Sequence, residues 1–419
     1  MLAALASLAA LDRGLLIGAI LLGIGVAMTG LAERRSVPAL VLFLAIGMAL
    51  GDDGFGLIRF ERADIAQTIG IVALVVILFE GGLSTSRSAA RAVIAPAFFL
   101  ATVGTAITAF TVGGVFFVVF GLSWNTSLLI AAVVASTDAA AVFAVLGSSG
   151  LPQRLLTTLE VESGFNDPMA VLLTVGLLEA AHGGFSAGGW LLLGVRQLAG
   201  GAVVGLLVGR AGAAALRRPG LAELSRSPVL AMAIGGFAYG LAAVLGGSGF
   251  LAVYVAGLLI GRDVRFRRAV EVFHKGLAST AQIGLFLMLG LLVFPSDLPA
   301  VAGKALLIAA ALVFVARPLA VAICLAPFGF TRRERIVASW AGLRGGVPIV
   351  LATFPLTELH PDGHLIFNIV FFVVLLSATV QGLTITGLAR RLGVTEPGPV
   401  AVAETIGPLG ATLAIEPQP

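Results

Sequence analysis

The chain has 419 residues, of which 58% are hydrophobic and 11% charged, against roughly 45–50% apolar and about 25% charged in soluble domains. Too few Asp, Glu, Lys and Arg are present to cover a water-exposed surface, so a soluble globule is excluded and the solvent is a lipid bilayer. The formal charge of +4 comes from 24 Arg and 2 Lys spread over short connections without one long basic tract, which fits membrane orientation and not a nucleic-acid partner. Gly, at 54 residues, lets membrane helices approach closely. Cys324 is the single cysteine, so no internal disulfide is expected.

The N-terminal run MLAALASLAALDRG has no basic residue before Arg13; it lacks the charged start of a secretory signal and reads as part of the mature chain. A spanning helix needs roughly 20 mostly apolar residues, fewer where it is broken or buried in protein. Thirteen segments meet that test: Gly14 to Leu31, Val37 to Gly51, Ile65 to Leu83, Ala92 to Phe120, Ser127 to Leu146, Leu156 to Ala180, Trp190 to Gly209, Pro228 to Gly246, Gly249 to Gly261, Val272 to Phe294, Ala300 to Leu325, Ile336 to Leu356 and His364 to Leu388. With this count, eighteen arginines, including Arg34, Arg87, Arg154, Arg217, Arg267, Arg332 and Arg390, fall on one side, and only Arg13, Arg59 and Arg62 on the other. The positive-inside rule then puts the N-terminus outside and the C-terminus in the cytoplasm. The transmembrane domain covers 1–391, and the tail 392–419, rich in Glu and Pro, is expected to be disordered.

Ionisable groups at mid-bilayer cost about 2.5 to 3.5 kcal/mol each even on the lenient insertion scale. Glu80, Asp138, Glu162, Asp167 and Arg344 fall inside segments three, five, six, six and twelve. Any one of them reads equally well as half of a structural ion pair; five together favour an ion path. In segment six, LEVESGFNDPMAVLLTVGLLE, Glu162 and Asn166 are four apart, as are Ser163 and Asp167, so the pairs lie on adjacent helix faces and form one oxygen-rich patch. Pro168 donates no backbone hydrogen bond and frees the Gly164 carbonyl. Such oxygens suit an alkali cation, and the patch holds no His or Cys for zinc or copper.

Segment five is interrupted by Ser136, Thr137 and Asp138, and segment twelve by the run Gly342 to Pro348; capping residues in the first and Gly with Pro in the second disfavour continuous helix. Paired interruptions in two halves of a chain mark a midplane binding site. The two segments are seven apart and therefore cross in opposite senses, which fits inverted six-span repeats over about 14–180 and 228–388 with a linker helix at 190–209. In that arrangement Asp138 neutralises half-helix N-termini, while Arg344 neutralises C-termini or pairs with Glu80 or Glu162. Glu160 and Glu179 read as interfacial, Arg196 and Lys304 as snorkelling, and Arg317 beside Pro318 stays open. Tyr254, Gln282 and Gln381 read as helix-packing groups, and the four histidines lie at loops or segment edges without metal spacing.

The motifs STDAAAVFAVL at Ser136, ESGFNDPMAVLL at Glu162, FEGGL at Phe79 and GLRGGVPIVLA at Gly342 resemble those of the monovalent cation:proton antiporters, in particular bacterial sodium or potassium/proton antiporters of the NhaP type. The resemblance runs from Gly14 to about Arg391, and ESGFNDP looks closer to the potassium type. It implies an all-α antiporter fold with two broken, crossing helices, a homodimer in the bacterial inner membrane, and a core bundle sliding against a fixed one. It also implies that Asp167 takes either a proton or an alkali cation and that Ser163, Glu162 and Thr137 complete the site. Asn166, where some relatives carry a second Asp, implies electroneutral exchange. Potassium-type relatives often carry a cytoplasmic regulatory domain after the last span, which is not expected here. No cofactor is implied beyond the transported Na+ or K+ and H+.

The competing classes are a sodium-coupled solute symporter, a cation channel and an intramembrane enzyme. A symporter needs an organic pocket, and the breaks here are small and acidic; no TVGYG-like filter is present, and no nucleophile–base pair falls inside the spans.

Overall fold

The computed structural model describes residues 2–35, 38–138, 151–183, 187–220, 223–261 and 264–395. The expectations for Ala139 to Leu146 in segment five and for the tail beyond Thr395 lie outside the described residues. All secondary structure among the described residues is helical, so the backbone hydrogen bonds close within each segment, as lipid demands.

In chain order the helices are α1 (Leu2–Arg35), α2 (Ala39–Leu50), α3 (Ala63–Ser84), α4 (Arg87–Phe120), α5 (Trp124–Ala135), α6 (Gln153–Gly183), α7 (Ala187–Ala215), α8 (Arg226–Val244), α9 (Gly249–Ile260), α10 (Arg267–Leu291), α11 (Pro295–Phe328), α12 (Arg332–Trp340), α13 (Gly346–Thr357) and α14 (Gly363–Arg391). Eight of them are long and apolar enough to cross a membrane. Where the predicted segments lie within the described residues they fall on these elements apart from their breaks, with α1 beginning twelve residues earlier than expected because the Ala- and Leu-rich start is itself a good helix former. Three single π-turns interrupt long helices, at Leu100–Gly104 in α4, Leu312–Ala316 in α11 and Ser377–Gln381 in α14. Pro318 explains the second, since its missing N–H leaves the Phe314 carbonyl without an i→i−4 donor.

The helices sort into two bundles. In one, α9 packs on α3, α7 and α8, while α10 packs on α2 and α3, with α1 against α2 and α10. In the other, α4 packs on α5 and α6, α5 on α6, α11 on α4, α12 and α14, and α13 on α14. Contact between the bundles runs chiefly along α3 and α9, which face α13 and α6. The end of α3 comes close to α9 because Gly82 and Gly257 face each other: a Cβ on either would strike the other helix's backbone.

Outside the spans, the α2–α3 connection is tied to the start of α11. Ser296 N–H donates to Asp53 Oδ2 at 2.6 Å and holds that exposed carboxyl below its ordinary range.

Candidate functional site

Helices α5 and α13 have twelve residues each, about 18 Å at 1.5 Å per residue, against a hydrocarbon layer of about 30 Å. Each therefore ends inside the protein and leaves orphan backbone groups there. After α5, Ser136, Thr137 and Asp138 are non-helical; between α12 and α13, Gly342 to Gly345 are non-helical. The two interruptions meet, with Asp138 N–H donating to Leu343 O at 2.8 Å.

Arg344 resolves the choice the sequence left open. Its side chain is 1% exposed, and Nη1 donates to Ala135 O at 2.7 Å and Ser136 O at 2.5 Å. These are the carbonyls of the last residue of α5 and of its C-cap, so the guanidinium sits at a negative helix C-terminus. The expected pairing with Glu80 or Glu162 does not form. Arg344 N–H is itself anchored on Ser377 Oγ at 3.0 Å, within the π-turn of α14, and that hydroxyl donates to Gln381 at 2.6 Å. Asp138 lies where expected at the opposite pole: its carboxylate touches Gly345, the residue preceding α13, at a spot any Cβ would occupy. Acid at a helix N-terminus and base at a C-terminus match the two half-helix dipoles.

Helix α6 supplies the remaining groups and runs through Pro168 without ending. Asp167 is 5% exposed and accepts from Ser136 Oγ at 2.5 Å. Ser163 Oγ donates to the Thr137 carbonyl at 2.7 Å, and Asn166 Nδ2 to Thr137 Oγ1 at 2.6 Å. The predicted set Asp167, Ser163, Asn166, Thr137 and Asp138 is thus brought to one place. Ser136 was read only as a helix-breaking cap; its role as donor to Asp167 depends on a neighbour 31 residues away.

Glu162 belongs to a different pairing. Arg317 Nη1 and Nη2 donate to its two carboxylate oxygens at 2.5 and 2.8 Å, and both residues are buried, at 4% and 1% exposure. A carboxylate held at both oxygens by a guanidinium has its charge matched in place; Asn166 Nδ2 approaches the same group at 3.5 Å. Glu80 is half-buried, accepts from Ser84 Oγ at 2.6 Å and does not reach Arg344. Glu160, read from sequence as interfacial, instead accepts from the buried Thr85 at 2.5 Å. His274 likewise lies inside the protein, edge-on to Phe79.

The buried charges at the crossing are the acids Glu162 and Asp167 and the guanidinium groups of Arg317 and Arg344, with the half-buried Asp138 beside them. Neither guanidinium contacts Asp167, whose bonded partner is the neutral Ser136 hydroxyl.

The profile of the family described as "Sodium/hydrogen exchanger, transmembrane" matches residues 16–391. The chain belongs to this family. It is 40% identical over 413 residues to the K(+)/H(+) antiporter NhaP of Alkalimonas amylolytica, covering 97% of this chain and 71% of that one. It is 41% identical over 390 residues to the K(+)/H(+) antiporter NhaP2 of Shewanella sp. strain MR-4, covering 91% and 67%. The Na(+)/H(+) antiporter NhaP of Pseudomonas aeruginosa is 32% identical over 389 residues, covering 85% and 90%. Among solved structures, the sodium proton antiporter MjNhaP1 from Methanocaldococcus jannaschii at pH 8 superposes with a TM-score of 0.79 at 25% identity, covering 92% of this chain and all of that one. This member of the exchanger family is therefore an integral membrane protein with the antiporter fold.

Proposed function

We propose that the protein exchanges a monovalent alkali cation for a proton across the membrane, one for one, with both ions competing for Asp167. The observation that carries this reading is a buried acid, Asp167, that neither nearby guanidinium contacts. With Asp167 ionised, a carboxylate whose bonded partner is a neutral hydroxyl stands in a low-dielectric interior; one proton or one alkali cation removes that charge. Either passenger leaves the site neutral, and a neutral site changes sides without moving charge through lipid. If only the occupied site makes that passage, proton flux in one direction is tied to cation flux in the other, without net charge transfer.

The chemistry of the surroundings supports the assignment. The Thr137 carbonyl, the Ser163, Thr137 and Ser136 hydroxyls, the Asn166 amide oxygen and the Asp167 carboxylate are hard oxygen donors of the kind an alkali cation takes in place of its water. We place the cation at Asp167, Ser163 and Thr137, with Asn166 and Asp138 beside them, Arg344 as charge compensator, and Glu162 withdrawn into its pair with Arg317. Potassium ranks ahead of sodium, because the relatives at 40–41% identity are named K(+)/H(+) antiporters and the sodium-named one stands at 32%. A sodium-coupled organic solute symporter is less well supported, since acids and small side chains occupy the crossing.

We further propose a homodimer in a bacterial inner membrane, the N-terminus outside and the C-terminus in the cytoplasm, operating as a transporter without a cofactor. Alternating access would shift the bundle of α4–α6 and α11–α14 against the other. The test is dequenching of a pH dye inside proteoliposomes on separate addition of lithium, sodium, potassium and rubidium. Potassium-dependent proton movement is expected from the natural chain and none from Asp167→Asn. Undiminished exchange in that variant refutes the assignment.

A further inference from the structure

The face of α6 that carries Asp167 continues toward the arginine-rich side through Gly164, three residues earlier in the helix. At 1.5 Å per residue, Gly164 stands about 4.5 Å along the axis from Asp167. Helix α9 covers it: the ring of Tyr254 rests on Gly164 so closely that a Cβ there would enter the ring. The same ring meets Phe165 edge-on with centroids 5.9 Å apart, and Phe165 meets Phe98 of α4 at 5.7 Å. One turn further along α9, Leu258 packs with Val161 of α6 and with Ala90, Val93 and Ala97 of α4. Tyr254 and Leu258 are four apart on α9 and so present two successive layers to α6. Arg87, the first residue of α4, donates Nε to Leu258 O at 2.9 Å, which sets the Leu258 layer at the arginine-rich end.

Two observations separate Tyr254 from an ordinary packing residue. Its main chain is fixed, because Tyr254 O and Leu258 N lie against Gly82 of α3 where a Cβ would strike both. Its side chain is not fixed in the same way. The residue is 2% exposed, yet Oη has no hydrogen-bond partner, whereas buried phenols ordinarily find one. The ring can therefore leave Gly164 without breaking a hydrogen bond, and its hydroxyl gains water when it does. The contact also crosses from one bundle to the other, since α9 belongs to the first and α6 to the second. Gly inside a helix is less favourable than Ala; at position 164 the ring is what excludes the larger residue.

Building on the exchange reading, we propose that the Tyr254 ring is the gate between the Asp167 site and the arginine-rich face, with Gly164 as its seat. With the ring seated, α6 and α9 are in contact one turn from Asp167 and this approach is closed. With the ring off the glycine, a gap of the ring's own size opens between the two helices. A broad side chain on a rigid wall, facing a residue with no side chain, gives the largest change in opening for the smallest movement. The aromatic ring closes the seam and the hydroxyl is not needed for closure. Without the ring, the site would stand open to both sides whenever it faces the opposite one, and ions would pass uncoupled.

The test loads proteoliposomes holding the full chain with potassium chloride, dilutes them into choline chloride at equal pH and follows a potential-sensitive dye, with valinomycin as the reference for a free potassium path. One-for-one exchange moves no net charge, so the natural protein is expected to give no potential. Tyr254→Ala removes the ring, and Gly164→Ala, a change that favours helix, evicts it from its seat. Each is expected to give a potential approaching that of valinomycin, and Gly164→Ala decides the matter if Tyr254→Ala does not fold. Tyr254→Phe keeps the ring and is expected to hold the vesicles tight while still exchanging potassium for protons. A pH dye in the same vesicles keeps two failures apart: exchange that Asp167→Asn abolishes secures the underlying reading, and its absence in the natural protein sinks that reading and not the gate alone. Given exchange, the gate is overturned if the alanine variants that fold hold potassium as tightly as the natural chain, or if Tyr254→Phe leaks as they do.

Discussion

Glu162 and Asp167 stand five residues apart on one helix, both buried, with opposite company. Glu162 is clasped at both oxygens by Arg317, whereas Asp167 receives one hydroxyl hydrogen from Ser136. A carboxylate with a guanidinium on it has no reason to bind a proton or a metal ion, and removing either partner strands a charge. A carboxylate held by a neutral hydroxyl keeps its charge available. The contrast teaches that acid content alone does not define an ion site: a carboxylate is matched by a guanidinium in one position and, little more than one helix turn on, held by a neutral hydroxyl in the other, the one proposed above to exchange.

The largest effect expected is that of Asp167→Asn, which should bring exchange down to the level of empty vesicles while the melting free energy stays within about 1 kcal/mol of the natural protein. If the comparison is right, Arg317→Ala does the reverse. It leaves Glu162 charged and alone and should destabilise the protein by about 3–5 kcal/mol in thermal or denaturant melting, with Glu162→Gln added on top recovering much of the loss. Equal melting of the single and double variants would break the distinction. Ser136→Ala sharpens it from the other side: losing a hydrogen bond to a charged group, about 1.5–3 kcal/mol, should raise the half-saturating cation concentration about tenfold. Smallest is Glu80→Gln, at a half-open position without a guanidinium, where melting should move by no more than about 0.5 kcal/mol.

The spans, the two interruptions and the gathering of Asp167, Ser163, Asn166, Thr137 and Asp138 were legible in the sequence because each rests on local chemistry. Apolar length makes a span, Gly and Pro break one, and spacing along α6 sets which side chains share a face. The partners were not legible. Arg317 lies beside Pro318, 155 residues from Glu162, and nothing in its own segment announces the pairing. Arg344 had three plausible counter-charges, two side chains and a helix terminus, and only the fold selects the carbonyls of Ala135 and Ser136. Glu160 looked interfacial because it sits near a segment end; Thr85, which covers it, comes from another bundle.

The hydrogen bond from Asp138 N–H to Leu343 O runs from main chain to main chain. Alanine scanning is blind to it, since no side chain contributes; an ester in place of that amide is the substitution that deletes it. While both breaks stay stitched together at the peptide level, the crossed segments form one piece, and in the exchange proposed above access would switch at the seam between α13 and α3.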